Sequence, residues 1–144
     1  MSISSRFAVG IHILSLINVD QGVTISSDYL AGSVNTNPVV IRRMMGMLKK
    51  AGLIEVRPGI AGIKLAKEPE LITLFDVYKA VDVVQEKELF SIHENPHPDC
   101  TVGKHIQSTV EPLFIAAQLA MEKVLSNVTL LDVVEDIESK VALT

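Results

Sequence analysis

The sequence predicts a mainly α-helical chain with one small β-hairpin, an α+β fold. Three observations carry that reading. Apolar residues recur at helical spacing in several separate stretches. Between Asn35 and Gly62, a helix with a start signal and a basic exposed face runs into a short β-branched segment and a Gly/Pro turn. From Ile106 onward a long helical pattern follows, too long to find a sufficient partner inside so small a domain. The order of parts is the outline of a winged helix-turn-helix, expected over residues 1–67. A linker helix, a sensor-type loop and the C-terminal helices fill 68–144.

The elements follow in order. Ser4 and Ser5 can cap a first helix that places Phe7, Ile11, Leu14 and Ile17 on one face. Asp20, Gln21 and Gly22 stop it near Asn18. Val23, Thr24 and Ile25 suit a small strand. Ser26, Ser27 and Asp28 offer caps for a short second helix through Leu30 and Ala31, with the turn at Gly32 to Asn37.

The third helix is signalled most clearly. Thr36 or Asn37 is a good N-cap, and Pro38 stands at the first helical position, where its missing N–H costs nothing. Ile41, Met44, Met45 and Leu48 form its buried stripe, leaving Pro38, Val39, Arg42, Arg43 and Gly46 on or beside the opposite face. Gly52 is placed for the left-handed residue that ends a helix, after Lys49 and Lys50, whose charges complement the helix terminus. Leu53 to Val56 and Ile63 to Leu65 then pair around a turn at Arg57-Pro58-Gly59 and Ala61-Gly62.

Thr73 with Asp76 approximates a capping box for a fourth helix bearing Leu74, Val77, Tyr78 and Val81. Glu86 to Lys104 loses periodicity and holds His93, His97, Pro96, Pro98 and Cys100, with His105 just beyond; it reads as a long loop. The long helix carries Ile106, Val110, Leu113, Ala117, Ala120 and Val124, and Pro112 should kink or restart it. Thr129 with Asp132 caps a last amphipathic helix with Leu130, Val133, Val134 and Ile137.

Composition bounds the function. Apolar residues are 48% of the 144 and aromatics only 4%, so the core is aliphatic and supplied with methionine. One cysteine excludes an internal disulfide and suits a reducing compartment. No signal peptide is visible at Met1 to Ser5, and charge-free runs such as Phe7 to Val19 fall short of the roughly 18 residues of a spanning helix. A cytoplasmic protein away from the membrane is expected. The net charge of −4 is unevenly spread. Val34 to Lys67 holds seven basic residues against Glu55 alone, a balance of +6, which leaves −10 for the remainder. Such asymmetry suits contact with phosphates on one face, although a solvated charged face has the same composition.

The stretches SVNTNPVVIRRMMGMLKKAGLI, RPGIAG and LFDVYKAV resemble the Rrf2 family of winged-helix bacterial transcriptional regulators. The spaced residues from His93 to Gln107 are especially similar to the small YwnA-type members, and the resemblance runs from about Ile3 to Glu138. It implies a homodimer joined through the long C-terminal dimerisation helix, reading a palindromic operator in double-stranded DNA. Physical reasoning points the same way, since pairing with a symmetry mate buries the long helix's stripe and separates two reading heads by about 34 Å. Matched to the family, Asn37, Pro38, Val39, Arg42 and Arg43 face the major groove, with an arginine donating to guanine and Val39 touching a thymine methyl. Asn35 joins that set. Ser26 and Ser27 suit phosphate contacts, and Arg57, Gly59 and Lys64 of the wing track the backbone or enter the minor groove.

Many relatives hold an iron–sulfur cluster on three cysteines in the loop before the long helix. Here only Cys100 is present, so no cluster is expected. Three alternatives stay open for the loop: a metal site from His93, His97, Cys100 and His105, a redox switch at Cys100, or Cys100 as a buried hydrophobe anchoring the long helix. The effector, whether a regulatory protein or a small molecule, is not readable. For the chain as a whole, the leading expectation is a DNA-binding repressor. A winged-helix protein-interaction module is the alternative, disfavoured by the basic recognition face. An enzyme is not expected: no Gly-rich phosphate loop or nucleophile elbow is present, and Glu135-Asp136 lies on a solvated helix.

Overall fold

Ser2, not Ser4 or Ser5, opens the first helix in the computed structural model, which describes residues 2–20, 24–57, 62–81 and 95–144. Its hydroxyl accepts the Ser5 N–H at 3.2 Å, so Ser4 and Ser5 fall inside the first turn of α1 (Ile3–Val19). Helix α1 buries Ile13, Leu14 and Ile17, together with Gly10, where α4 approaches closely.

Helix α2 (Ser27–Val34) is capped by Ser26, whose hydroxyl accepts the Tyr29 N–H at 3.0 Å. It extends beyond the expected end at Ala31, because the break is made by Asn35 rather than Gly32. Asn35 takes the left-handed conformation (φ 60°), and the Thr36 N–H reaches back to the Ala31 carbonyl. Thr24 and Ile25 are not in a strand; Val23 lies outside the described residues.

Helix α3 (Pro38–Lys50) starts as expected, with Asn37 as cap and Pro38 in the first turn. It ends at Gly52 (φ 77°), where the Gly52 and Leu53 N–H groups return to the Lys49 and Leu48 carbonyls. Strands β1 (Ile54–Arg57) and β2 (Gly62–Leu65) pair antiparallel, with Glu55 opposite Lys64 and Val56 opposite Ile63. Their inner face presents Ile54 and Ile63 to the core. At the turn end of the hairpin, Gly62 (φ 66°), opposite Arg57, passes so close to Ile25 that a Cβ there would stand 3.0 Å from the Ile25 carbonyl oxygen.

A short 3-10 turn (Pro69–Leu71) leads into α4 (Leu74–Val81), which packs on α1 and α3. The long helix α5 spans Thr101–Ser126, five residues earlier at its start than the apolar pattern from Ile106 indicates. Thr101 to His105 are mostly exposed and carry one large apolar side chain, Val102, too few to show a periodicity on their own. Pro112 neither breaks nor restarts α5. It removes only the N–H that the Ser108 carbonyl would accept, on an exposed surface where water can replace it.

Helix α6 (Leu130–Ala142) turns back and packs on α1. One hydrophobic cluster therefore joins Ile13, Leu14, Leu30, Ile41, Met44 and Leu48 to Ile72, Val77, Val81, Leu130 and Val134. Helix α5 contributes nothing to it.

Candidate nucleic-acid interface

Burial assigns the two faces of α3. Ile41, Met44 and Leu48 are buried, whereas Arg42, Arg43 and Gly46 are exposed and Val39 is 56% exposed. A 13-residue helix with a buried apolar stripe on one side holds the other side rigidly outward. Its exposed side carries two guanidiniums, each able to donate in a fixed fork, beside a branched apolar side chain.

The ends of this helix and of α2 are shaped by the same residues proposed to meet DNA. Asn37 uses its Oδ1 to accept the Val39 N–H at 2.7 Å, which leaves its two amide N–H groups free to donate to a partner. Pro38 is half-buried. Asn35 is exposed, and its left-handed backbone forms the turn between the two helices. Ser26 accepts a backbone N–H and keeps its own hydroxyl hydrogen for an acceptor such as a phosphate oxygen. Ser27, behind it, is half-buried.

On the wing, Arg57 is exposed at the end of β1, and Lys64 lies 3.6 Å from Glu55 across the hairpin. That pair is half exposed on both sides, so it is worth well under about 1 kcal/mol and yields readily to a phosphate. Gly59 and Pro58 lie outside the described residues, as does His93.

Two contacts had no sequence signal. Tyr29 donates its hydroxyl to the Asp20 carboxylate at the far end of α1. That hydrogen bond, with the nearby negative charge, raises the Tyr29 pKa above 10.0. His12 of α1 meets Ser33 of α2 at 3.0 Å. Both link residues nine or more positions apart, where no local spacing rule operates.

Cys100 is exposed and not buried, which corrects the packing alternative. It stands at the N-cap of α5 without a side-chain capping bond. Among the described residues, the hydrophobic cluster includes nothing from α5, so the helix start that carries Cys100 lies outside the core. Among the described residues, no three His, Cys, Asp or Glu side chains are grouped to hold a metal ion, and no helix is long and apolar enough to cross a membrane.

The model of the Rrf2 family, described as an iron-dependent transcriptional regulator, matches residues 3–136. The chain belongs to the Rrf2 family. This Rrf2 protein is 50% identical over 131 residues to a Bacillus subtilis (strain 168) protein designated an HTH-type transcriptional regulator, YwnA. The match covers 91% of this chain and 96% of that one. A crystal structure described as that of a DNA-binding protein is 44% identical, with a TM-score of 0.70 over 89% of this chain and 97% of the other. CymR, the global cysteine regulator of B. subtilis, shares the fold at 23% identity and a TM-score of 0.69, over 94% of this chain and 97% of its own. The family and these relatives are transcriptional regulators, not enzymes.

Proposed function

We propose that this Rrf2 protein is a cytoplasmic homodimer that binds a palindromic operator in double-stranded DNA and represses transcription. The observation that carries the reading is the outward face of α3, where Val39, Arg42 and Arg43 are exposed on a helix anchored by Ile41, Met44 and Leu48. Asn35, Asn37, Pro38, Ser26, Ser27, Arg57, Gly59 and Lys64 complete the proposed contact set. The experiment is selection of bound DNA fragments with the purified protein, then a mobility-shift assay on the selected fragment. Arg42→Ala and Arg43→Ala should each weaken binding by about tenfold or more, since a bidentate guanine contact is worth ~1–3 kcal/mol. Unchanged affinity in both variants contradicts the assignment.

The dimer rests on α5. Its 26 residues extend about 39 Å and none is buried within the protomer. Val102, Ile106, Leu113 and Val124 recur at helical spacing and are 38–67% exposed. An apolar stripe of that length needs cover, and a second copy related by a two-fold axis supplies the same stripe.

We further propose that the protein works without an iron–sulfur cluster. Its single cysteine is one thiolate against the roughly four ligands such a cluster takes. Anaerobic purification followed by a visible spectrum tests this, and cluster absorbance would overturn it. The exposure of Cys100 favours a second, redox-responsive reading of the same regulator. Mild peroxide should then alter both the Cys100 mass and operator affinity, whereas oxidation without a change in affinity removes that reading.

A further inference from the structure

A cleft of about 360 Å³ opens between the last turn of α3 and the side of α4. Its floor is apolar, with Leu53 and Ala80 buried in the core beneath and the half-buried Met47 at one edge. Its rim is cationic. Lys50 comes from α3, Lys67 from the segment after β2, and Lys79 from α4.

Among the described residues lining the cleft, one carboxylate, Asp76, faces these ammoniums, and it is already engaged. It accepts the Thr73 N–H at 3.0 Å and lies 3.9 Å from Lys79, which in turn sits 4.7 Å from the Phe75 ring centre. Among the described residues, Lys50 and Lys67 have no carboxylate at ion-pair distance. Lys50 and Lys67 both line the cleft, so an anion within it would meet two positive charges.

We propose that this cleft binds a small amphipathic carboxylate. Its charged end accepts hydrogen bonds from Lys50 and Lys67, and its short hydrocarbon body lies on Met47 and Leu53. The cleft's volume is at the small end of the ~300–1,000 Å³ typical of ligand sites, and apolar walls with a few convergent polar groups are their usual lining. A phosphate group would use the lysines but leave the floor wet, so the apolar body selects against a bare inorganic anion or the DNA backbone. Because Met47 belongs to α3 and Ala80 to α4, an occupant holds one helix against the other.

The test needs no DNA and stands apart from the operator-binding proposal. The full chain, labelled on its methionine methyl groups with carbon-13, is titrated with hexanoate while the Met47 resonance, assigned through Met47→Leu, is followed. Saturable movement of Met47 is expected, with hexanol and inorganic phosphate each much weaker. In the Lys50→Ala, Lys67→Ala double variant the midpoint should rise by about fivefold or more, since each exposed charge contact contributes up to ~1 kcal/mol. Both lysines are exposed, so the variant keeps the fold. Absence of a saturable shift, an equal response to hexanol or phosphate, or an unchanged midpoint in the double variant overturns the proposal.

Discussion

Thr73 and Thr129 face each other across an antiparallel bridge, and each begins a helix through a reciprocal capping box. Leu74 donates its N–H to the Val128 carbonyl at 2.9 Å, and Leu130 donates to Ile72 at 2.8 Å. The chain that leaves α4 for α5 therefore returns to the start of α4, and the end of α5 is tied to that paired junction.

Breaking that junction should loosen the body. Thr129→Ala removes the cap on α6 and should cost about 1 kcal/mol in urea denaturation, while Thr129→Ser should retain most of it. An unchanged midpoint for the alanine variant would show that the Thr129 hydroxyl contributes nothing to holding α6, leaving core packing and the bridge.

Two glycines should respond in opposite directions. A Cβ at Gly10 meets Val77 at 3.2 Å and Val81 at 3.4 Å, so Gly10→Leu should overpack the α1–α4 contact and destabilise by ~1–3 kcal/mol. Gly46 has open space around it on α3, so Gly46→Ala should stabilise by about 0.5–1 kcal/mol. If the outward face of α3 reads DNA, the same alanine should also weaken operator binding, separating stability from function in one variant.

At the wing, Gly62→Ala combines a left-handed backbone with a 3.0 Å approach to Ile25. A loss of about 1–2 kcal/mol is expected in thermal unfolding. Equal stability would mean that the hairpin shifts away from Ile25 freely.

The Tyr29–Asp20 hydrogen bond predicts an alkaline dependence. The folded-state pKa of Tyr29 is raised above 10.0, so the contribution is fully present below that value and is lost as pH rises through the folded pKa. Absorbance titration should show the Tyr29 phenolate ionising late, and Asp20→Asn should return it toward 10.0. An unchanged titration in Asp20→Asn would remove the hydrogen bond as the cause.

Helix α3 was legible because three independent signals coincide in it: Asn37-Pro38 at its start, Gly52 at its end, and an apolar stripe between. The beginning of α5 was not, because one exposed turn with Val102 as its single large apolar side chain resembles a loop. The extent of α2 was missed for a different reason. Gly32 looks like a terminator, yet it sits inside the helix while Asn35 supplies the left-handed turn. For the site, charge distribution located the basic segment, but pairing modifies it: Lys64 has Glu55 opposite, and Asn37 spends one of its polar groups on capping. Such contacts depend on register and tertiary approach.

Binding of the selected fragment and of a scrambled fragment of equal length, each followed across a salt series, decides whether the protein recognises an operator through phosphate and base contacts. The account predicts that the selected fragment binds at least ~10³-fold tighter. It also predicts that log affinity falls linearly with log salt, by about 0.9 for each phosphate contacted. Equal affinity for the two fragments, or binding indifferent to salt, would contradict it.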